Sequence, residues 1–257
     1  MLTLKENMCL SADKLGQDEK KELREFTDWI LSIKNGEIFD LTFQGEWNAS
    51  LVKIPSALLL DPGINPIAII MSVIYPGIDN DNIEASYFRE RAIVTLKNDI
   101  INEINNLILD CLPKVKCIYL SINNICKSFG DNKNIDLLYP VKFINQLNFN
   151  NVSSYALSLK IETPIILLRN INPLAGLCNG TRLIVTQLVE RVIEAQIITG
   201  SNIGSYVFIL GIVFSINDGR CPFTIKWRRF PIKSYYVMVI NKNRGQSLKI
   251  IGVLLKE

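Results

Sequence analysis

From residue 159 onward the chain changes its period. The segments 159–169, 181–189, 191–199, 205–214 and 223–229 are short, apolar and closely spaced, and Gly, Asn or Pro separates them. Five such segments predict a small antiparallel β-barrel. The stretch RNINPLAGLCNGTRLIV, Arg169 to Val185, shows the pattern most clearly. It packs Asn-Pro, Ala-Gly and Asn-Gly into one polar centre and then returns directly to Leu-Ile-Val. Asn179-Gly180 suits a tight turn because both residues tolerate positive φ, and Cys178 reads as a small filler of that turn. In the last segment Trp227, Arg228 and Arg229 set an aromatic beside cations. That mixture can stack a nucleic-acid base, but a tryptophan packed at the barrel edge is the preferred reading.

The flanks follow a different rule. RAIVTL (91–96) reads as a short buried strand, and NDIINEINNLILDCL as a helix with Ile100, Ile101, Ile104, Leu107 and Ile108 on one side. Asn98 stands between them as a natural N-cap. A strand feeding a helix is the unit of an α/β sheet. YYVMVINKNRGQSLKIIGVLL reads as strand, Gly-containing loop, then helical turn or strand, which resumes the α/β pattern. The β module is therefore expected as an insertion at about 156–232 within an α/β domain whose strands include 91–96 and 235–240. The corresponding division is 1–155, 156–232 and 233–257. Residues 18–34 predict an amphipathic helix, with acids at its start and Asn35-Gly36 as its stop. The turn-rich region 41–86 is expected to hold a peripheral helix or two at most, and 121–155, rich in Asn and Ser, mostly loop.

Composition narrows the chemistry. With 257 residues, 48% of them hydrophobic, the chain has material for a sizeable core. It contains no histidine, so a Ser-His-Asp triad, a Cys-His pair and a His-ligated metal are excluded. The six cysteines form no Cys-x-x-Cys, and Cys111, Cys117 and Cys126 are too widely spaced to suggest zinc. No metal site is expected. Net charge is only +3, but residues 220–257 carry nine bases and one acid, which suggests an anionic partner such as nucleic acid. The apolar runs 67–75 and 206–216 are too short to span a membrane, and the N-terminus is not a secretory signal. An intracellular protein without a membrane partner is expected, nuclear if the source is eukaryotic.

Four stretches resemble one family. LTLKENMCL looks like the L-x-x-N-M-R-L segment of the PIF-type DNA helicases, and YFRERAIVTLKNDIINEIN like their R-A-I-L-T-P-K-N segment. LSLKIETPIILLRNINPLAGLCNGTRLIV resembles the start of their accessory 2B module, an SH3-like barrel. FPIKSYYVMVINKNRGQSL resembles F-P-x-x-x-x-F-A-M-T-I-N-K-S-Q-G-Q-T-L. The likeness is nearest to the Helitron-like branch of these superfamily-1, 5′-to-3′ enzymes. It implies a partial second RecA-like domain of the P-loop NTPase class with the barrel inserted. It also implies roles in DNA replication, repair, recombination or Helitron transposition.

The resemblance assigns residues as well. Cys9, Gly245 and Gln246 fall on a degenerate nucleotide site. Thr95, Asn98, Asn241, Lys242 and Arg244 fall near the DNA path. Cys9 stands where the family has a phosphate-reaching Arg, and a thiol offers no cationic fork. Val239 replaces Thr, Arg244 replaces Gln, Ser247 replaces Thr and Leu96 replaces Pro. The phosphate-binding string G-x-x-x-x-G-K-[ST] does not occur. No catalytic residue is therefore assigned, and no cofactor is expected on this chain alone, ATP and Mg²⁺ belonging to the full-length family. The expected partners are single-stranded DNA, bound weakly, and a first RecA-like domain supplied upstream or in trans. The alternatives are a subunit that completes a separate ATPase half, and a non-enzymatic SH3-like interaction module.

Overall fold

The structure, a computed structural model, describes residues 16–37, 52–81, 83–96, 98–126, 153, 155–216, 224–240 and 248–255. The chain divides into two compact units, Met1–Asp61 and Pro62–Glu257. In the first, helix α1 spans Gln17–Asn35. The Gly16 N–H donates to Glu19 Oε2 at 3.0 Å, and Asp18 and Glu19 favour the positive end of the helix. The helix stops at Gly36, whose φ of 77° lets its N–H reach back to the Ile33 carbonyl. A single 3-10 turn, Ser56–Leu58, is the other described element of this unit.

The second unit is built on a parallel trio. Strand β1 (Arg91–Thr95) lies between two strands distant in sequence, β12 (Val237–Val239) and β13 (Ile250–Leu254), and is parallel to both. Helices α2 (Pro66–Ile74), α3 (Ala85–Glu90) and α4 (Asn98–Cys111) accompany it. The short parallel strand expected at 91–96 is present, and the ambiguous C-terminal segment is a strand. Helix α2 is not peripheral: Ile70 and Ile74 are buried in the main core with Ile93, Ile104 and Ile108. Gly252 of β13 makes this approach possible. A Cβ there would stand 2.7 Å from Ile74 and 2.9 Å from Ile70, so the strand needs a residue without a side chain.

The remaining strands form the antiparallel module. They are β2 (Cys117–Leu120), β3 (Ile122–Cys126), β4 (Ala156–Leu159), β5 (Pro164–Leu167), β6 (Arg182–Leu188), β7 (Val192–Ile197), β8 (Tyr206–Leu210), β9 (Ile212–Ile216), β10 (Thr224–Arg229) and β11 (Ile232–Ser234). Five of them make a sheet in the order β11-β5-β6-β7-β8, while β3-β10-β9 and β2-β4 make two smaller sheets. Strand β8 continues through Gly211 into β9, and β10 continues through Phe230-Pro231 into β11. Pairing thus passes around the module and returns to β5.

Three expectations are corrected in detail. Segment 159–169 is broken into β4 and β5 by a turn at Lys160–Thr163, where Glu162 adopts φ 69°. The Lys160 N–H donates to Thr163 Oγ1 at 2.9 Å and holds that turn. Segment 205–214 is divided at Gly211, where a Cβ would lie 3.6 Å from the Arg228 side chain. Residues 122–126, read as loop, form β3. INNIC has little period of its own, and its place is set by backbone pairing with β10. The rest of that Asn-rich region, save 121, 153 and 155, lies outside the described residues.

Strands β5 and β6 are buried on both faces. Ile165, Leu167, Leu183 and Val185 line the core of the antiparallel module. On the opposite face, Ile166 and Leu168 pack with Ala92, Val94, Tyr235 and Met238, and Ile184 enters the main core. This explains why PIILL and LIV are unbroken apolar runs rather than alternating ones.

A cluster of rings sits where the two parts meet. The Tyr75 hydroxyl donates to the Tyr236 carbonyl at 2.6 Å, and Phe88 lies edge-on to Tyr236 at 5.8 Å. Burial pushes the Tyr235 hydroxyl from 10.0 up to about 12 and the Tyr87 hydroxyl likewise to about 12. Between these values the folded state keeps protons that the unfolded state has lost, so stability must fall as pH rises. The expected outcome is a urea midpoint that declines as pH is raised from 10 towards 12. Tyr235→Phe should flatten that decline.

Candidate nucleic-acid interface

In parallel sheets, ligands bind beyond the carboxyl ends of the strands. Register brings three such ends together here. Thr95 lies opposite both Val239 and Leu254. The carboxyl ends of β1 and β12 therefore lie side by side. Thr95 itself is 2% exposed. Leu96, next in the chain, is 61% exposed. Asn98 opens α4 in its backbone, and its side chain lies outside the described residues. Cys9, Asn241, Lys242, Arg244, Gly245 and Gln246 also lie outside them. The structure thus sets Thr95 and Val239, the last residues of β1 and β12, at one edge.

The turn quoted at the outset connects β5 to β6. Asn172 Oδ1 accepts from the Ala175 N–H at 3.3 Å and caps a 3-10 turn, Pro173–Ala175. Gly176 follows with φ 75° and Gly180 with φ 92°. The Gly180 N–H donates to the Leu167 carbonyl, and the Leu167 N–H to the Thr181 carbonyl, both at 2.9 Å. The Asn-Pro, Ala-Gly and Asn-Gly steps are accounted for as turn chemistry. Leu174 at its tip is 97% exposed, and the Arg169 guanidinium lies 5.3 Å from the Phe214 ring.

Two basic residues of the antiparallel module reach into the α/β part, and the sequence reading passed over both. Arg182, the first residue of β6, is fully buried. Its guanidinium donates to the carbonyl of Arg89 at 2.9 Å and to that of Phe88, at the end of α3. It also lies 4.3 Å from the Tyr235 ring centroid. Burial draws its pKa down, and the guanidinium nonetheless stays charged. Lys160 Nζ donates to the carbonyls of Leu112 at 2.7 Å and Asp110 at 3.3 Å, beyond and within the last turn of α4. Each cation thus meets unsatisfied carbonyls at the negative end of a helix. The available signal was a lone cation within an apolar strand, as in T-R-L-I-V. Trp227 is buried with the Arg229 guanidinium 3.8 Å from its ring, so it packs and presents no free face to a base.

The second unit is thus a parallel sheet with an antiparallel module let into it. Residues 142–188 match the family model for the DNA helicase Pif1, 2B domain; the match runs through β4, β5 and β6. The fold is similar to the crystal structure of Pif1 helicase from Candida albicans, with a TM-score of 0.54 at 13% identity over 90% of this chain and 53% of that chain. Bacteroides Pif1 bound to single-stranded DNA aligns over 90% of this chain and 42% of that one, at 15% identity and a TM-score of 0.48. Pif1 helicase from Bacteroides in complex with ADP-AlF3 and single-stranded DNA gives 16% identity, 89% and 42% coverage and a TM-score of 0.49. The chain spans about half or less of the Pif1 structures it matches. No curated protein matches it in sequence. The family-model match thus lies within the antiparallel module, and the fold over most of the chain is similar to that of the Candida albicans Pif1 helicase.

Arg182 is expected to be the costliest polar residue of this unit to lose. Arg182→Met keeps the bulk but leaves two buried carbonyls unpaired, and hydrogen bonds to charged groups contribute about 1.5–3 kcal/mol each. We expect a loss of about 2–4 kcal/mol in unfolding free energy, measured by urea denaturation. Arg182→Lys, which restores one donor at a time, should recover part of it.

Proposed function

We propose that this chain serves as the DNA-gripping C-terminal portion of a Pif1-type helicase moving 5′ to 3′ on single-stranded DNA, in replication, repair, recombination or Helitron-type transposition. The observation that carries the reading is the 2B-domain match over 142–188. The helicase fold and the basic 220–257 segment support it. DNA would run past the sheet edge at Thr95 and meet the segment carrying Asn241, Lys242 and Arg244, with the α4 N-terminus at Asn98 offering amides to a phosphate. Binding of this kind is sequence-independent and governed by counterion release.

The nucleotide side of the reading is degenerate. Cys9, Gly245 and Gln246 supply neither a cation nor a metal-binding carboxylate, so they do not fit a phosphate–Mg²⁺ site by themselves, and no hydrolytic step is drawn through them. ATP and Mg²⁺ would be held by a first RecA-like domain, in the same polypeptide or in trans. Phosphoryl transfer depends almost wholly on positioning and charge stabilisation, and an arginine finger alone contributes about 10³–10⁵ in rate.

Two outcomes test this. Fluorescence anisotropy with labelled oligo-dT should show weak binding that falls with salt, at a log–log slope of roughly −0.7 per phosphate contact. Lys242→Ala with Arg244→Ala should weaken it and flatten the slope; binding indifferent to salt and to both substitutions would remove the site. In a DNA-stimulated phosphate-release assay, the 257-residue chain should show no turnover. Persistent turnover after stringent purification would mean that a different nucleotide site exists.

A further inference from the structure

Strand β10 is flanked by β3 on one side and β9 on the other, up to the pairs Arg228–Ile122 and Arg229–Ile212. At Phe230-Pro231 the chain leaves to become β11 and pairs with β5 instead. The flanking strands go on without it. Strand β3 is preceded by β2, which pairs only with β4 among the described residues, and β9 is preceded by β8, which pairs only with β7. A groove of about 690 Å³ opens where β10 departs.

The walls of this groove are aliphatic. Ile118, Leu120 and Ile122, at alternate positions of β2 and β3, line one side, and Leu210 at the end of β8 lines the other. These four are 56–63% exposed, a cost in water that monomeric proteins rarely leave on one contiguous patch without use. The rim is basic. Arg191 and Arg228 line it and have no carboxylate within ion-pair distance among the described residues. Arg229 also lines it but is buried, its Nη1 donating to the Ser153 carbonyl and its guanidinium 3.8 Å from the Trp227 ring. Glu190 is the one acid in the lining.

From this we propose that the groove is a docking site for an extended segment of a partner protein, one that alternates large aliphatic residues with Asp or Glu. The alternate spacing of Ile118, Leu120 and Ile122 matches the two-residue period of an extended ligand. The two exposed arginines, Arg191 and Arg228, call for acids at its margins. The same features disfavour nucleic acid. Sequence-tolerant binding of single strands relies on open aromatic faces, and the two rings in the lining are engaged with each other. Tyr119 and Phe230 meet edge-on at 5.0 Å, and the Tyr119 hydroxyl donates to the Val189 carbonyl at 2.8 Å. This surface is distinct from the sheet edge at Thr95 and does not rest on the DNA-binding reading.

The test uses the full chain and two labelled peptides, one of alternating leucine and glutamate, the other of alternating leucine and lysine. Fluorescence anisotropy should show binding of the leucine–glutamate peptide and not of the leucine–lysine one. Leu120→Asp should weaken it by at least about tenfold, and Arg228→Glu should reverse the preference in favour of lysine. Both positions are exposed, so the variants should melt as the parent does; should one not, the other decides. Ile64→Asp, at a fully exposed site outside the groove, should change nothing. Failure of the leucine–glutamate peptide to bind, or full affinity in Leu120→Asp and Arg228→Glu, overturns the proposal. So does displacement of the peptide by oligo-dT whose own binding is lost in Leu120→Asp, which would assign the groove to DNA. Oligo-dT binding that survives both substitutions while the peptide is lost separates this groove from the DNA path.

Discussion

The hairpin of β5 and β6 is buried on both faces, and the rest of the second unit depends on that. One face closes the core of the antiparallel module through Ile165, Leu167, Leu183 and Val185. The other gives Ile166 and Leu168 to the back of the parallel sheet and Ile184 to the main core. A side chain buried in this way contributes about 1.5–3 kcal/mol relative to leaving it in water. The same two strands therefore stabilise both halves, and neither half has a complete core without them. The arrangement also restricts sequence: a one-residue slip would exchange the two sets of residues, and the turn at Pro173–Gly180 fixes the register.

Two wholly or largely buried cations turn this shared wall into a joint of defined geometry. Hydrophobic contact is non-directional, and by itself it would let the module slide on the sheet. Arg182 and Lys160 remove that freedom, because each must meet particular carbonyls, those of Phe88 and Arg89 for one and of Leu112 and Asp110 for the other. Sliding by one residue would strand a charge in an apolar place, which costs several kcal/mol. Asn105 adds the same kind of constraint from the helical side. Its Oδ1 accepts from the N–H groups of Tyr236 and Val237, both at 3.0 Å, where β12 begins. Among the described residues none of these groups pairs with a carboxylate; the charges are balanced by helix ends and aromatic faces.

The α/β class, the inserted antiparallel strands and α1 with its Gly36 stop were legible, because period, length and turn residues all point the same way in those stretches. What was illegible has physical reasons. Strand β3 carries INNIC, whose pairing comes from β10 and not from its own pattern. The break at Gly211 is hidden because YVFILGIVFSI is apolar almost throughout and carries no turn residue besides that glycine. Helix α2 looked peripheral because PIAIIMSVI sits among turns, whereas Gly252, far along the chain, makes room for it. Of the candidate site, resemblance alone gave the residue choices. The parallel pairing of β1 with β12 and β13, which puts Thr95 and Val239 at one edge, links residues too far apart for local pattern to show.

The chain leaves the antiparallel module without a loop. Strand β11 ends at Ser234, still paired with β5, and β12 begins at Val237, already paired with β1. Only Tyr235 and Tyr236 lie between. The Tyr235 N–H donates to the Pro164 carbonyl on the module side at 2.9 Å, while the Tyr236 carbonyl accepts from the Ile93 N–H on the sheet side at 3.1 Å. Two consecutive residues are thus fastened to different halves, with Arg182 against the ring of the first. Strand β12 then leads within three residues to Ile240. The antiparallel module and β12 are thus joined with no loop between them, so the place of β11 on β5 also fixes the register of β12 on β1.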